Sequence, residues 1–331
     1  MNGQLFLDYM DIVLRSEKVQ TGPAKLSDVV KNDYEAWELG EIAACEFAKQ
    51  TSLLRKSTTI TSVASTGEYD CPPDFIKIAK KAPDKRTDVL LYTLSGETEG
   101  ELIWREPVND SWGNDTTETE STPGSFDIIE QSLAPAEVTG TTTAAGAVAN
   151  GEAVLTAAAG AFTTTGSGLV YPRYRVRNTT SGKPHAGIVL AVTSATALKT
   201  AMFNKGAAQS WASGDTYAIQ SVSKFRVKFP YLIESAGNTI TLDYHCFPPP
   251  VYSPIGMWGF PDQSHVMAIA IYAVWFLKFR NVQQQQAGDV NVASLTSDRL
   301  YLMWQEYVNT ALADKRKRMT TYTHSPLMGV M

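Results

Sequence analysis

Two kinds of hydrophobic spacing divide this chain, and their positions limit the folds that it can adopt. Apolar residues recur at helical spacing near the start, in 5–13 and 33–54, and again near the end, from about 262 to 312. Between these ends, short runs alternate apolar with polar residues and are separated by Gly and Pro, which is typical of β-strands. A chain of 331 residues with this arrangement can form two domains, or one domain with a large insertion.

The composition changes again from about residue 133 to residue 222. Charged residues become rare there, while Thr, Ala, Gly and Ser dominate. Short alternating runs at 174–177, 187–192 and 216–219 are separated by turn residues, as in a small β-barrel or sandwich. Because helical patterns resume further along the chain, we expect residues 133–222 to form an inserted β domain.

The segments that flank this insert carry the helices and the remaining strands. Clean alternation at 225–229 and 239–244, with Gly237-Asn238 as a turn signal between them, predicts a β-hairpin. Asp262 is a good N-cap for a helix that is apolar almost all round, and such a helix is buried in a bundle or in an oligomer. We therefore expect an α+β fold: a helical-bundle core of N- and C-terminal helices, with an antiparallel β-sheet and an inserted all-β domain.

The predicted domain boundaries follow from these patterns. Residues 1–132 and 223–313 are expected to form one discontinuous core, which carries an acidic loop at 96–130. Residues 133–222 are expected to form the insert, and residues 314–331 a basic C-terminal docking tail.

The segment 96–130 is strongly acidic and contains a single cation, Arg105. Across the whole chain 34 Asp+Glu exceed 29 Lys+Arg, and the net charge of −5 argues against a free-standing nucleic-acid clamp. Paired carboxylates in such a loop suit acid/base chemistry or Mg²⁺, whereas a solvated, mutually repelling surface is the simpler interpretation. The candidate residues of this surface are Glu97, Glu99, Glu101, Asp110, Asp115, Glu118 and Glu120.

The last predicted helix carries one continuous apolar stripe and ends in a cationic run, 315–318. Positive side chains stabilise a helix C-terminus by about 0.3–1 kcal/mol each, so a solvated cap explains the run without a partner. The alternative is a docking segment, because the tail beyond the run still contains several apolar anchors. The candidate docking residues are Leu300, Trp304, Tyr307, Lys315, Arg316, Lys317, Arg318, Tyr322, Leu327 and Met328.

The sequence contains no recognisable catalytic motif: HExxH, GxSxG, an EF-hand loop and a GxGxxG that opens a helix are all missing. Ser181-Gly182-Lys183 is similar to the end of a phosphate-binding loop, but Pro184 stands where Ser or Thr is required. Four histidines and three scattered cysteines have no metal-ligand spacing, so we expect no metal and no cofactor. The sequence shows no signal peptide and no bilayer-spanning run, which predicts a soluble protein made in the cytoplasm, without a membrane partner.

Three passages carry a resemblance to a known family, and they occur in the family's order. Residues 67–78 (GEYDCPPDFIKI) are similar to its strand-turn passage LPxDFxRI, and residues 239–250 (TITLDYHCFPPP) to its strand LxYxxxPPxL. Residues 260–265 (FPDQSH) are similar to lPxxxH, the entry to its penultimate helix. The family is that of the head–tail adaptor, or connector, proteins of tailed bacteriophages, and the resemblance covers 1–95 and 225–320. The insert resembles small β modules of phage neck and tail proteins.

The resemblance implies a structural virion protein, and not an enzyme. Members of this family form a ring, usually a dodecamer, that binds beneath the portal protein in the virion neck and links the capsid to tail or nozzle proteins. The family's last helix and tail commonly dock onto the portal, which corresponds here to 300–312, 315–318 and the end of the chain. DNA would pass through the lumen without sequence-specific binding. An acidic lumen suits that role, because it repels phosphates and lacks the counterion-releasing grip of Lys and Arg arrays.

Two other functions remain open from the sequence. A virion adhesion protein would bind host glycan through the β insert, where Trp211 and Tyr217 are candidates to stack on a sugar. One or two aromatic residues in a β module more often belong to its core, however. A cell-wall hydrolase would instead use carboxylates of the acidic loop.

Overall fold

The computed structural model describes residues 3–16, 33–81, 87–107, 118–130, 137–149, 151–158, 161–162, 170–183, 185–204, 207–208, 210–222, 225–260, 262–285 and 298–323. These residues form four helices and seventeen strands. The chain divides into two compact units. A helical unit combines 1–53 with 250–331, and a β unit comprises 54–249 and contains every described strand.

The helical unit is organised around its third helix. Its four described helices are α1 (Gly3–Ser16), α2 (Asp33–Thr51), α3 (Gln263–Gln285) and α4 (Arg299–Thr323). α3 packs against each of the other three, which explains why it is apolar on most sides. Asp262 accepts a hydrogen bond from the Ser264 amide at 2.7 Å, so the predicted N-cap of α3 is confirmed. Within the described ranges, no helix is both long and apolar enough to cross a bilayer.

Aromatic side chains fill the core of the helical unit. Phe6 of α1 meets Trp258 edge-on with 5.1 Å between ring centroids, and Tyr272 of α3 lies 4.6 Å from Trp304 of α4. Both tryptophans are buried. Ring pairs of this kind add about 0.5–1.5 kcal/mol each to the gain from burying their surface.

Asp298 determines where α4 begins. Its carboxylate accepts a hydrogen bond from the Leu300 amide at 2.9 Å and another from the Lys278 ammonium of α3 at 2.6 Å, so one side chain caps α4 and ties it to α3. The predicted end of this helix at the cationic run 315–318 is wrong, because α4 continues to Thr323. Lys and Arg have good helix propensity and do not terminate a helix.

The seventeen strands of the β unit belong to two sheets. In chain order they are β1 (Arg55–Thr61), β2 (Thr66–Asp70), β3 (Phe75–Ile78), β4 (Val89–Thr93), β5 (Glu101–Arg105), β6 (Thr119–Glu120), β7 (Ser125–Glu130), β8 (Glu137–Thr141), β9 (Val148–Ala149), β10 (Glu152–Thr156), β11 (Arg175–Asn178), β12 (Ala186–Ser194), β13 (Ala197–Asn204), β14 (Ala207–Ala208), β15 (Thr216–Gln220), β16 (Phe225–Ile233) and β17 (Thr239–Cys246).

The first sheet has nine strands in the order β1-β17-β4-β5-β7-β16-β2, with β3 also paired to β17 and β6 to β16. It is mixed: β5 pairs with β7 and β6 pairs with β16 in parallel, and the other described pairs are antiparallel. Along β17 every second side chain is buried, from Ile240 to Cys246. These side chains pack with Phe126, Val227 and Phe229 into the core of this sheet.

The second sheet has eight strands in the order β8-β15-β11-β12-β13-β10-β9, with β14 paired to β13, and all its described pairs are antiparallel. Its strands lie between Glu137 and Gln220, within the segment 133–222. Leu155, Val176 and Val189 are completely buried in its core. This sheet and the nine-stranded sheet belong to one compact unit.

The predicted fold class, α+β with a helical-bundle core and an antiparallel sheet, is wrong. The described chain is mostly β, with two extensive sheets, and the helices form a unit that contains no described strand. The helices concentrate their apolar residues in stripes that are easy to recognise, whereas a half-buried strand contributes only every second residue. The parallel pairs carry no local sequence signal, because strand direction depends on connections far along the chain.

Candidate functional site

One end of the nine-stranded sheet collects the acidic side chains that the sequence singles out. Glu97 and Glu99 lie in the turn between β4 and β5, and Glu101 begins β5. Glu118 lies just before β6 and Glu120 lies on it, and both are beside the end of β16. We call these five residues the acidic end; Asp110 and Asp115 lie outside the described residues.

A buried asparagine holds the β4–β5 turn in place. Asn238, which is 2% exposed, accepts a hydrogen bond from the Ser95 amide at 3.0 Å through Oδ1 and donates one to the Tyr92 hydroxyl at 2.7 Å. Gly96 and Gly237 have φ angles of +88° and +89°, which glycine adopts without strain. The β4–β5 turn is therefore fixed against the β16–β17 turn.

Backbone hydrogen bonds bring the second acidic pair to the same turn. The Leu232 amide donates to the Glu118 carbonyl at 3.1 Å, and the Glu234 amide donates to the Glu120 carbonyl at 2.9 Å. Residue 234 begins the β16–β17 turn that Asn238 completes. Both groups of carboxylates therefore lie at one end of the sheet, although they come from segments about twenty residues apart in the sequence.

Among the residues that the structure describes, no cation neutralises the acidic end. None of its five carboxylates forms an ion pair with another residue that the structure describes. Glu97, Glu99, Glu101 and Glu118 are exposed, and Glu120 is half-buried. Burial raises the pKa of Glu120 above its ordinary value, and the nearby charge of Glu118 adds to the effect. The surface as a whole repels anions.

The predicted docking residues separate into buried and exposed groups. Leu300 and Trp304 are each 1% exposed and face the interior of the helical unit, and Tyr307 is half-buried. Arg316 and Lys317 are exposed, with Lys317 3.9 Å from Asp314 of the same helix. The structure does not describe the side chains of Arg318 and Tyr322, and Leu327 and Met328 lie outside the described residues.

Lys315 has a structural role within the helical unit. Its ammonium donates hydrogen bonds to the carbonyls of Thr51 at 3.1 Å and Ser52 at 2.7 Å. These carbonyls lie at the C-terminus of α2, where backbone acceptors have no intrahelical partner. Ser52 has a φ of +49°, the left-handed conformation that often follows a helix. The first cation of the run therefore caps α2 and ties it to α4.

We expect Lys315→Ala to lower the free energy of unfolding by about 1–3 kcal/mol, because it removes two charge-assisted hydrogen bonds and leaves half-buried carbonyls without a donor. Chemical denaturation measures the loss. Lys317→Ala is the matched control and should change stability by less than about 0.5 kcal/mol, because this side chain is 81% exposed and its ion pair with Asp314 is long, at 3.9 Å. Equal effects of the two substitutions would contradict the capping role.

The aromatic residues of the insert lie in its core. Trp211 and Tyr217 are each 2% exposed, and the Trp211 indole donates a hydrogen bond to the Thr200 hydroxyl at 3.0 Å. They are therefore unavailable to stack on a sugar. Lys183, from the segment similar to a phosphate-binding loop, donates to Asp215 at 2.9 Å, so its charge is neutralised within the insert.

Comparison with known proteins found no matching family model, no matching curated protein and no matching solved structure. The acidic residues were visible in the sequence, because their density is high in one segment. Asn238 and the capping role of Lys315 were not visible, since their partners lie 143 and 264 residues away in the chain.

Proposed function

We propose that this chain is a structural subunit of a virion neck: a head–tail adaptor that forms a ring, of about twelve copies, beneath a portal protein and joins it to tail or nozzle proteins. The proposed role is non-enzymatic. Its basis is the resemblance of residues 67–78, 239–250 and 260–265 to that family, together with the geometry of the acidic end.

The observation that carries the proposal is the acidic end, whose carboxylates form no ion pair with any residue that the structure describes. In a ring, one such surface from every subunit would face the lumen. DNA carries one negative charge per about 1.7 Å of helix axis, so a lumen lined in this way repels the duplex and lets it slide. A surface of Lys and Arg would instead release counterions and hold the DNA.

The exposed part of the cationic run is the proposed contact with the portal. Leu300 and Trp304 already serve the core of the helical unit, and Lys315 already caps α2. The docking role therefore falls to the residues from Arg316 onwards. Weak contacts of this kind add up when they are repeated around a ring, because each attached subunit raises the effective concentration of the next contact.

A chain that ends after Lys315 should remain folded and should join portal-containing heads at least about tenfold less than the full chain. The reason is that this truncation removes the exposed cations and the apolar anchors but keeps the α2 cap. Sedimentation of heads after mixing with the purified chain measures the attached fraction, and circular dichroism checks the fold. Normal attachment of the truncated chain would contradict the docking role.

A pair of charge reversals tests the same contact without removing any chain. Arg316→Glu with Lys317→Glu should weaken attachment, whereas Arg15→Glu with Lys49→Glu should leave it unchanged. The control cations belong to the same unit and have side chains 58% and 55% exposed. If both pairs weaken attachment equally, the effect is one of net charge and the assigned contact is wrong.

A further inference from the structure

Among the described strands, β1 is an edge of the nine-stranded sheet. It pairs with β17 through seven consecutive residues, without a bulge, and with no other described strand. It contains no proline. Its outer edge therefore presents a regular row of backbone donors and acceptors, which is a template for another strand.

Edge strands are usually protected from further pairing by charged side chains, proline or bulges, and this protection is weak in β1. Four of its seven residues are Thr or Ile, which favour strands, and its only charges are Arg55 and Lys56. Each of the two is neutralised within the sheet: Arg55 pairs with Asp243 at 3.1 Å, and Lys56 pairs with Asp74 at 2.5 Å. Neither cation therefore opposes the approach of an uncharged strand.

A cavity of about 200 Å³ opens beside this edge. It is smaller than the ~300–1,000 Å³ of typical small-molecule sites, so it suits one side chain better than a free ligand. Its lining consists of Lys56, Ser57, Thr58, Pro72, Pro73, Asp74, Tyr171, Pro172 and Tyr244.

The two charged residues that line the cavity, Lys56 and Asp74, neutralise each other. The Asp74 carboxylate accepts one hydrogen bond from Lys56 and another, at 2.9 Å, from the Tyr244 hydroxyl. Burial raises the pKa of Tyr244, so this phenol stays protonated and keeps its role as donor. The other lining residues are three prolines, Tyr171, Ser57 and Thr58, and the proline and tyrosine rings among them favour an apolar occupant.

Arg173 fixes the wall that the insert contributes. This residue has a φ of +80°, which is strained for a side chain other than glycine. Its guanidinium donates two hydrogen bonds to the Pro248 carbonyl, at 3.1 and 2.6 Å, and lies 5.4 Å from the centre of the Phe247 ring. Tyr171 and Pro172 are therefore held beside β1 at a fixed distance.

We propose that β1 accepts an extended, uncharged segment of another protein as an added strand, and that one aliphatic or prolyl side chain of this segment enters the cavity. In strand addition of this kind, main-chain hydrogen bonds provide affinity and the side-chain pocket provides specificity. This inference rests on the edge of β1 and on the cavity beside it. It does not depend on the proposed assembly of the chain into an adaptor ring.

The probe is a displayed library of random seven-residue peptides selected on the full chain. Selected peptides should lack charge and share one Val, Leu or Pro position. N-methylation of the amides that face β1 should abolish binding, whereas methylation of the alternate amides should leave it intact, because only one set pairs with the edge. Failure to select peptides, or equal effects of methylation at all positions, would overturn the proposal.

Two substitutions separate the cavity from the edge. Ser57→Arg narrows the cavity mouth and should weaken binding by about tenfold or more, whereas Thr61→Arg, on the same strand but outside the cavity, should change it by less than about threefold. Tyr171→Ala enlarges the cavity and should shift the selected side chain towards Phe or Met. The proposed occupant would be overturned if the Tyr171→Ala variant selected the same peptides as the wild type. It would also be overturned if β1 were protected from hydrogen exchange only because copies of this chain associate with each other.

Discussion

Asp215→Ala is expected to lower the free energy of unfolding by about 3 kcal/mol, the largest stability loss that we predict for a single residue. Asp215 is 3% exposed and accepts hydrogen bonds from the Ala212 amide at 2.8 Å, from Asn178 at 3.1 Å and from Lys183 at 2.9 Å. Removing the carboxylate leaves the buried Asn178 side chain and the half-buried Ala212 amide without this acceptor, at about 1–3 kcal/mol each. Chemical denaturation, with hydrogen exchange of β11 and β15, measures the effect.

The stabilisation by Asp215 should also depend on pH. Burial by itself raises the pKa of Asp215, but the hydrogen bonds from Ala212, Lys183 and Asn178 outweigh it, so the pKa lies below its ordinary value of 3.8. A carboxyl with a lowered pKa stabilises the fold fully above the unfolded value and loses this effect as the pH falls through the folded value. The difference between the wild type and Asp215→Ala should therefore shrink below pH 3.8.

Glu137→Ala is the control for Asp215→Ala. Its ion pair with Arg177 joins side chains that are 38% and 53% exposed, so its loss should cost about 0.5 kcal/mol or less. Equal losses for the two variants, or a difference that does not change with pH, would contradict the assigned role of Asp215.

The proposed neck function predicts that replacing Glu97, Glu99 and Glu101 together by Lys slows the passage of DNA by about tenfold or more at low salt. Each subunit would then present three added cations to the phosphates, and contacts of this kind depend steeply on salt. The measurement is the rate of DNA release from particles that carry the variant. The defect should disappear as the salt concentration rises, because the added attraction is purely electrostatic.

The matched control changes the net charge by the same amount elsewhere. Asp8, Glu38 and Glu306 are exposed residues of α1, α2 and α4, and their joint replacement by Lys should leave DNA release unchanged. A similar delay in both variants would mean that net charge decides the rate. Normal release from the first variant would mean that the acidic end does not face the DNA.

Local patterns predicted individual elements better than their assembly. The strands β16 and β17, the strands of the insert and the cap at Asp262 each follow from a few neighbouring residues, and the structure contains them. The predicted hairpin of β16 and β17 is wrong, because β16 pairs with β2, β6 and β7 whereas β17 pairs with β1, β3 and β4. The prediction of a helical-bundle core was wrong because a half-buried strand has apolar residues only at every second position. Strands therefore give a weaker hydrophobic pattern than helices do. Separation into a helical unit and a β unit depends on long-range contacts that no local pattern records.

The candidate site likewise has features that a local sequence pattern predicts and others that depend on long-range contacts. A dense run of carboxylates can be read directly from the sequence, and so can a run of cations. The sequence does not show that Lys315 donates its hydrogen bonds to carbonyls at the end of α2. Nor does it show that Asp74 and Lys56 form an ion pair beside the edge strand β1. Such pairings join residues that are 18 to 264 positions apart, and only the folded chain brings them together.

The most direct test of the proposed function is to locate the chain in intact virions. Negative-stain images of particles labelled with an antibody against the insert should show the label as a ring between head and tail. A label at fibre tips, a label spread over the capsid, or a complete absence of the chain from purified virions would contradict the neck assignment.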